Sequence, residues 1–226
     1  MDKREFLKKT LAGFGTIVSL PVLGGDAKIS SNAGIPECDV SPKETRGPFP
    51  IKSPSDLMRA NIVGDRQGIA LLINLKIQSQ SKSCQPLSGV DVDVWHCDAQ
   101  GNYSQYGGNG LQQSDYRNTS FLRGRQRTNS KGEVSFISIF PGWYPGRAPH
   151  LHLDILQEGE IILSTQIAFP KKCTLEVYAS RGYKGEEDTS NERDGIFRNS
   201  LEGNMADSVS GNLEDGYTLF KLIITG

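Results

Sequence analysis

The feature that most constrains this chain is a two-residue alternation of apolar and polar side chains, which recurs in several short segments. Residues 69–78 show it best, because Leu71, Ile73, Leu75 and Ile77 occupy every second position and so share one face of an extended strand. The other segments with strand character are residues 90–95, 132–140, 150–155, 160–169 and 217–225. Without a long amphipathic helix between them, they predict an all-β fold, an antiparallel β-sandwich.

The regions between these segments are rich in turn-forming residues. The 226-residue chain contains 25 glycines and 11 prolines, which suits one domain with long loops. Prolines punctuate residues 30–54, which are therefore expected to form an extended N-terminal arm. Residues 179–216 have little periodicity and are expected to be a long loop with one short helical turn. The formal net charge is −1 and no basic stripe alternates with aromatic residues, so nucleic acid is not an expected partner.

The first 27 residues differ from the rest of the chain and resemble a signal peptide. Basic residues at positions 3, 4, 8 and 9 precede an uncharged, largely apolar run over residues 10–25. Because this run is too short for a stable membrane span, we expect export to the periplasm or the extracellular space. Residues 28–226 would then form the mature domain. A buried N-terminal helix is the alternative.

Export bears on the four cysteines, because an oxidising compartment permits disulfides. Cys84 and Cys97 flank one predicted strand and make a plausible pair, and free buried thiols are equally consistent with the sequence. The cysteines show no Cys-x-x-Cys spacing, which argues against thiolate ligation of a metal.

A chemical signal lies in the segment FPGWYPGRAPHLHLDI, residues 140–155. His150 and His152, two of the chain's three histidines, are separated by one residue and so point to the same face of a strand. Tyr144 and Arg147 precede them in a turn rich in proline and glycine. Imidazole nitrogen with phenolate oxygen suits a Lewis-acidic ferric ion, so the segment indicates a metal site. A half-exposed strand face beside a packed tyrosine is the alternative.

The segment VDVWHCDAQGNYSQYG, residues 92–107, carries the third histidine and another tyrosine. We expect it to be the end of a strand followed by a polar turn. Taken alone, this pattern indicates a structural His96 at the strand end and a structural Tyr103 in the turn.

Together with FLRGRQRTNSKGEVSFISIFPGWYPGRAPHLHLDI and the later STQIAFP, this segment resembles the intradiol ring-cleavage dioxygenases. That family includes the catechol and protocatechuate dioxygenases, which hold non-haem Fe(III) in a β-sandwich. The similarity extends from about Pro42, in an arm that reads SPKETRGPFP, to about Phe197. The similarity is most specific between Trp95 and His152, where the residues match those of the family in order and spacing.

The resemblance implies four ligands for Fe(III): Tyr103, Tyr144, His150 and His152. It implies that Tyr103 stays bound, whereas Tyr144 leaves when the substrate chelates the iron. Arg147 matches the active-site arginine of the family, and Gln166 matches a glutamine near the substrate and oxygen pocket. His96 matches no ligand position.

The chain departs from the family pattern at three positions that could bear on substrate choice. Arg46 stands where glutamate is usual, Pro50 where tyrosine is usual, and Ala168 where a larger side chain is common.

The resemblance implies an enzyme that inserts O2 between the two hydroxyl-bearing carbons of a catechol-type aromatic, giving a muconic acid type product. Its partners would be a small aromatic diol and O2, and a homo-oligomer is compatible with the sequence. Two alternatives stay open. One is an exported, non-catalytic β-sandwich binding module. The other is a copper or zinc enzyme built on His150 and His152, which would need His96 or Asp154 as a further ligand.

Overall fold

The computed structural model describes residues 38–108 and 110–226, which contain nine strands and two α-helices. The strands are β1 (Ala70–Ser79), β2 (Gln85–Pro86), β3 (Asp91–Trp95), β4 (Arg123–Arg127), β5 (Glu133–Ile139), β6 (His150–Gln157), β7 (Glu160–Ala168), β8 (Ser208–Asn212) and β9 (Gly216–Thr225). The helices are α1 (Lys171–Tyr178) and α2 (Leu201–Asn204). The leader proposed for residues 1–27 lies outside the described residues. Within them, no helix is both long and apolar enough to cross a membrane.

The strands form two sheets. One has the order β4–β3–β6–β7 and is antiparallel throughout. In the other, β1 lies between β5 and β9, β8 pairs with β9, and β2 pairs with the end of β1. The all-β sandwich is confirmed, with one addition: β1 and β9 run parallel, so the second sheet is mixed.

Alternate strand residues build the core between the sheets, as the two-residue period requires. The core cluster includes, each at most 1% exposed, Leu71, Ile73, Leu75, Ile77, Val92, Val94, Leu151, Leu153 and Ile155. The intervening residues of β6, which are His150, His152 and Asp154, therefore point to the other face of their sheet. They are buried as well, because the N-terminal arm lies over that face, with Arg46 hydrogen-bonded to Asp154.

Three strands and one helix lie outside the predicted segments. The strand β4 reads RGRQR and has no apolar face, because Arg125 pairs with Asp93 and Arg127 with Asp91 on β3. The strand β8 falls inside residues 179–216, so the expectation of a loop with only a helical turn is wrong there. Its sequence, SVSGN, carries too few apolar residues to show a period. The two-residue strand β2 and the helix α1 are too short for a periodic signal.

The plausible pairing of Cys84 with Cys97 is wrong. Cys84 forms a disulfide with Cys38 in the arm, and Cys97 and Cys173 are free and buried. Cys97 packs at the far end of β3 within an aromatic cluster that includes Trp95. Cys84 lies between β1 and β2 of one sheet, whereas Cys97 follows β3 of the other sheet, and the Cys84 sulfur is already bonded to Cys38.

Candidate metal centre and active site

The outward face of β6 brings two imidazoles to one point. His150 and His152 are 3% and 1% exposed, and their Nε2 atoms are 3.1 Å apart. His150 Nδ1 lies 2.6 Å from the carbonyl oxygen of Ala148. A carbonyl can only accept, so Nδ1 carries the proton and the Nε2 of neutral His150 carries a lone pair. Two nitrogens bound at about 2.1 Å to neighbouring positions of one metal lie roughly 3 Å apart.

Two tyrosine rings close the other sides of this point. Tyr103 comes from the turn after β3, and Tyr144 from the turn between β5 and β6. The ring centroid of Tyr144 lies 5.7 Å from that of Tyr103 and 5.6 Å from that of His150. Tyr103 and His152 have centroids 6.2 Å apart. The structure thus brings together all four ligands that the resemblance implies.

The hydroxyl of Tyr103 is the clearest sign that a partner belongs here. Tyr103 is fully buried, and its hydroxyl oxygen has no hydrogen-bond partner among the described residues. A buried polar group without a partner is costly, and a bound cation would remove that cost.

The protonation states fit a cation as well. Burial, followed by the charge of Arg147 for His150 and by His150 itself for His152, holds the pKa of both imidazoles well below the ordinary value of 6.5. Both rings are therefore neutral, which is the form that binds metals. Burial also raises the pKa of Tyr103 and Tyr144, so phenolates form here only beside a strong positive charge.

Tyr103 is held rigidly by its surroundings. Its backbone N–H donates to Gln112 Oε1 at 2.6 Å, and its carbonyl accepts from Gln112 Nε2 at 2.9 Å. The ring of Phe49, from the arm, stacks on the Tyr103 ring with centroids 4.7 Å apart and an interplanar angle of 21°. Neither Gln112 nor Phe49 was identified from the sequence as a site residue.

Arg147 lies beside atoms of two candidate ligands. Its Nη1 is 3.4 Å from both Tyr144 Oη and His150 Nε2. Its Nη2 donates to Gln166 Oε1 at 2.6 Å. Gln166 is the register partner of His152 on β7, which explains why a residue so distant in sequence reaches the site. The structure thus places Arg147 and Gln166 beside the residues that the resemblance implies as ligands.

Asp194 is a site residue that the sequence analysis missed. Its carboxylate is fully buried and accepts Arg147 Nε at 2.8 and 3.1 Å. The Phe197 ring lies 5.5 Å from the centre of the same guanidinium. Both residues come from the segment expected to be a loop, and no local pattern marks them.

The N-terminal arm crosses the site. The carbonyl of Thr45 accepts Gln166 Nε2 at 2.8 Å. Gly47 has a φ of +67°, and a Cβ built on it would lie 3.0 Å from His152 Cε1. Glycine is therefore required at this point by conformation and by space. Arg46, unusual for the family, donates its Nε to Asp154 at 2.8 Å and so fastens the arm to β6.

The residues needed by a copper or zinc enzyme have other partners. His96 is fully buried, with Nδ1 2.7 Å from the Cys97 carbonyl and Nε2 2.6 Å from Ser138 Oγ. Asp154 accepts Ser164 Oγ at 2.6 Å in addition to Arg46. No cluster of three or more His, Cys, Asp or Glu side chains that could hold a metal occurs in the described part of the chain.

The other two departures from the family pattern also have structural roles. Pro50 contributes its carbonyl, which accepts the Tyr106 hydroxyl at 2.8 Å. Ala168 lies opposite His150 in the sheet register and packs in a cluster with Phe197. The Phe197 ring therefore packs in the same cluster as the small side chain of Ala168.

Comparisons with known proteins give the same family. A sequence model described as Dioxygenase matches residues 48–178. Among solved structures, an intradiol ring-cleavage dioxygenase from Tetranychus urticae is 30% identical with a TM-score of 0.75, and the match covers 84% of this chain and 95% of that one. The dioxygenase domain of a dioxygenase carbohydrate-binding protein fusion from the cellulolytic bacterium Streptomyces sp. SirexAA-E is 25% identical, with a TM-score of 0.59 and coverage of 82% and 97%.

A more distant structure shares the fold. The 3-chlorocatechol 1,2-dioxygenase of Rhodococcus opacus 1CP is 21% identical, with a TM-score of 0.54 and coverage of 82% of this chain and 72% of that one. A search of curated protein sequences gave no match. Because the family match spans more than half of the chain and a 30% identical relative shares its fold over nearly its whole length, this chain belongs to the intradiol ring-cleavage dioxygenase family.

Proposed function

We propose that this protein is a non-haem Fe(III)-dependent intradiol dioxygenase acting on a catechol-type aromatic. The bond between the two hydroxyl-bearing carbons breaks, and each of these carbons gains one atom of O2, which gives a muconic acid type product. One observation carries the proposal. The Nε2 atoms of His150 and His152 lie 3.1 Å apart, and the buried Tyr103 hydroxyl beside them has no partner among the described residues.

Tyr103, Tyr144, His150 and His152 are the residues that would hold the iron. When bound, Fe(III) supplies the Lewis acidity that activates a chelated catecholate towards O2. Of the two tyrosines, Tyr144 would be the one better suited to make room for a substrate oxygen, because Tyr103 is fully buried and held at its backbone by Gln112. Tyr144 Oη would accept one proton from a substrate hydroxyl.

Arg147 stabilises the negative charge that develops on oxygen as the ring opens. Its Nη1 already lies 3.4 Å from Tyr144 Oη and from His150 Nε2, so it faces the atoms around which that charge forms. Gln166 orients the guanidinium through Nη2. The arm, through Phe49, covers the Tyr103 side and excludes water there.

The test is a visible absorption spectrum of the purified protein reconstituted with iron, before and after catechol is added. Tyrosinate-to-Fe(III) charge transfer should give a broad band that moves to longer wavelength with catechol. Tyr103→Phe and Tyr144→Phe should each weaken the band. Tyr217→Phe, which alters a buried core tyrosine of β9, is the matched control and should leave it unchanged.

A colourless protein that binds iron no better than a His150→Ala variant would refute the proposal and favour a binding module. If the band forms, oxygen uptake should be screened first with catechol, 3-chlorocatechol and hydroxyquinol. These compounds appear in the names of enzymes that have a similar fold. Product mass should show addition of both oxygen atoms.

We also propose that the protein is exported to the periplasm or the extracellular space. The leader-like residues 1–27 support this, and so does the Cys38–Cys84 disulfide, because disulfides persist in oxidising compartments. Mass spectrometry of the protein recovered outside the cytoplasm should show a new N-terminus near residue 28. Recovery of the uncut chain from the cytoplasm alone would contradict export.

A further inference from the structure

Arg123 is a fully buried arginine that none of the roles described above uses. It is the first residue of β4, whose three arginines alternate along the strand. Arg125 and Arg127 each pair with an aspartate on β3. Arg123 faces Trp95 in the register instead of an aspartate, and no carboxylate of the described residues lies within ion-pair distance of it.

The hydrogen bonds of Arg123 all go to neutral acceptors around Tyr103. Its Nε donates to Ser104 Oγ at 2.9 Å and its Nη2 to the Ser104 carbonyl at 2.7 Å. Its Nη1 donates to the Phe49 carbonyl at 3.0 Å. Ser104 directly follows Tyr103, and the Phe49 ring stacks on Tyr103. One guanidinium therefore fixes both the turn that carries Tyr103 and the ring that covers it.

The charge of Arg123 also lacks a counterion among the described residues. A buried cation without an anionic partner is strongly unfavourable, and burial lowers the pKa of Arg123 to about 10. The centre of the guanidinium lies 5.7 Å from the Tyr103 ring centroid and 5.4 Å from that of Tyr106. Aromatic faces stabilise a cation only modestly, so an anion close to Tyr103 would complete the arrangement.

We propose that Arg123 is a positioning residue for the metal centre, which fixes the Tyr103 ligand and places a permanent positive charge beside it. This inference rests on the proposed iron centre but not on ring cleavage. A positive charge near a phenolate lowers the energy of the phenolate electrons. Loss of that charge should therefore move the charge-transfer band to longer wavelength.

The experiment compares three variants as iron-loaded full-length proteins. Arg123→Met removes the charge and the hydrogen bonds, and should move the band to longer wavelength and weaken iron retention about tenfold or more. Arg123→Lys keeps the charge but loses the three-way contact, so the band should stay near its wild-type position while iron leaves faster. Arg125→Met removes a neighbouring arginine of the same strand and should change neither readout.

The outcomes separate the two proposals. Wild-type protein that shows the band but cleaves no catechol would refute ring cleavage and leave the Arg123 result valid. If Arg123→Met does not fold, Arg123→Lys decides, because unchanged iron retention in that variant would overturn the role of Arg123. An unchanged band and unchanged retention in a folded Arg123→Met would overturn it too, as would a wild type without any band.

Discussion

Replacing Asp194 by asparagine tests whether the segment after α1 controls the active site. The carboxylate accepts Arg147 Nε through both oxygens, the Ile196 N–H through Oδ1 at 2.8 Å and the Ala148 N–H through Oδ2 at 2.8 Å. An amide of the same shape replaces one oxygen by a donor. Whichever way it turns, either Ile196 or Ala148 loses its acceptor, and Arg147 loses its anionic partner.

The size of the effect follows from these contacts. One buried backbone donor left unsatisfied costs about 1–3 kcal/mol, and a hydrogen bond that loses its charge gives up about 1 kcal/mol more. We therefore expect Asp194→Asn to lower the free energy of unfolding by about 2–4 kcal/mol. Arg147 keeps its bond to Gln166 but loses its fixed orientation. We expect kcat/KM for the cleaved catechol to fall about tenfold to hundredfold, less than the loss of a whole charge-stabilising donor.

The assay is oxygen uptake with catechol as substrate, together with urea unfolding and the spectrum of the iron-loaded protein. The matched control is Asp93→Asn, because Asp93 is also buried and accepts an arginine, Arg125, at 2.6 and 2.8 Å. Both variants should be destabilised, and only Asp194→Asn should lose kcat/KM while keeping the band. Equal kcat/KM in the two folded variants would refute the reasoning.

Three further predictions concern the arm, the disulfide and the remaining histidine. Gly47→Ala should weaken iron retention, because its Cβ would lie 3.0 Å from His152 Cε1 at a φ of +67°; retention equal to the wild type would contradict this. Cys38→Ser should lower the free energy of unfolding by up to about 4 kcal/mol, since the disulfide closes a loop with a sequence separation of 46, and an unchanged urea midpoint would count against it. Burial lowers the pKa of His96 from 6.5 to about 4. The contribution of neutral His96 to the free energy of unfolding is complete above pH 6.5. As the pH falls towards 4, the free energy of unfolding decreases by about 3 kcal/mol because of this group. His96→Gln should flatten that part of the unfolding profile measured at a series of pH values, and a profile parallel to the wild type would exclude His96 as the cause.

Much of the fold follows from the sequence because alternating apolar residues make most of its strands. The six predicted segments correspond to β1, β3, β5, β6, β7 and β9 within a few residues. The strand β4 was not predicted because it carries three arginines, two of which pair with aspartates on β3, and charged side chains show no hydrophobic period. The parallel pairing of β1 with β9 was not predicted, because hydrophobic periodicity shows on which face of the sheet a residue lies but does not show which strands are neighbours.

The residues of the candidate site likewise fall into those that the sequence predicts and those that it does not. His150, His152, Tyr144 and Arg147 lie within nine consecutive residues, so a strand and one turn are enough to gather them. Asp194 and Arg123 reach the site through tertiary contacts alone, and each looks like an ordinary surface charge in the sequence. The disulfide shows the same limit, since Cys38 meets Cys84 only because the arm folds back along the sandwich.

The parallel pairing of β1 with β9 has a consequence for the order of folding. The sheet that carries the candidate metal ligands His150 and His152 is built from residues 91–168, whereas the other sheet joins Leu71 to Tyr217. Closing the longer loop costs more chain entropy, and contacts between distant residues form late. We expect β3, β6 and β7 to gain protection before β9 in pulsed hydrogen exchange during refolding, and simultaneous protection of all four would contradict this. The face of the candidate metal pocket would then take shape before the last strand of the chain completes the sandwich.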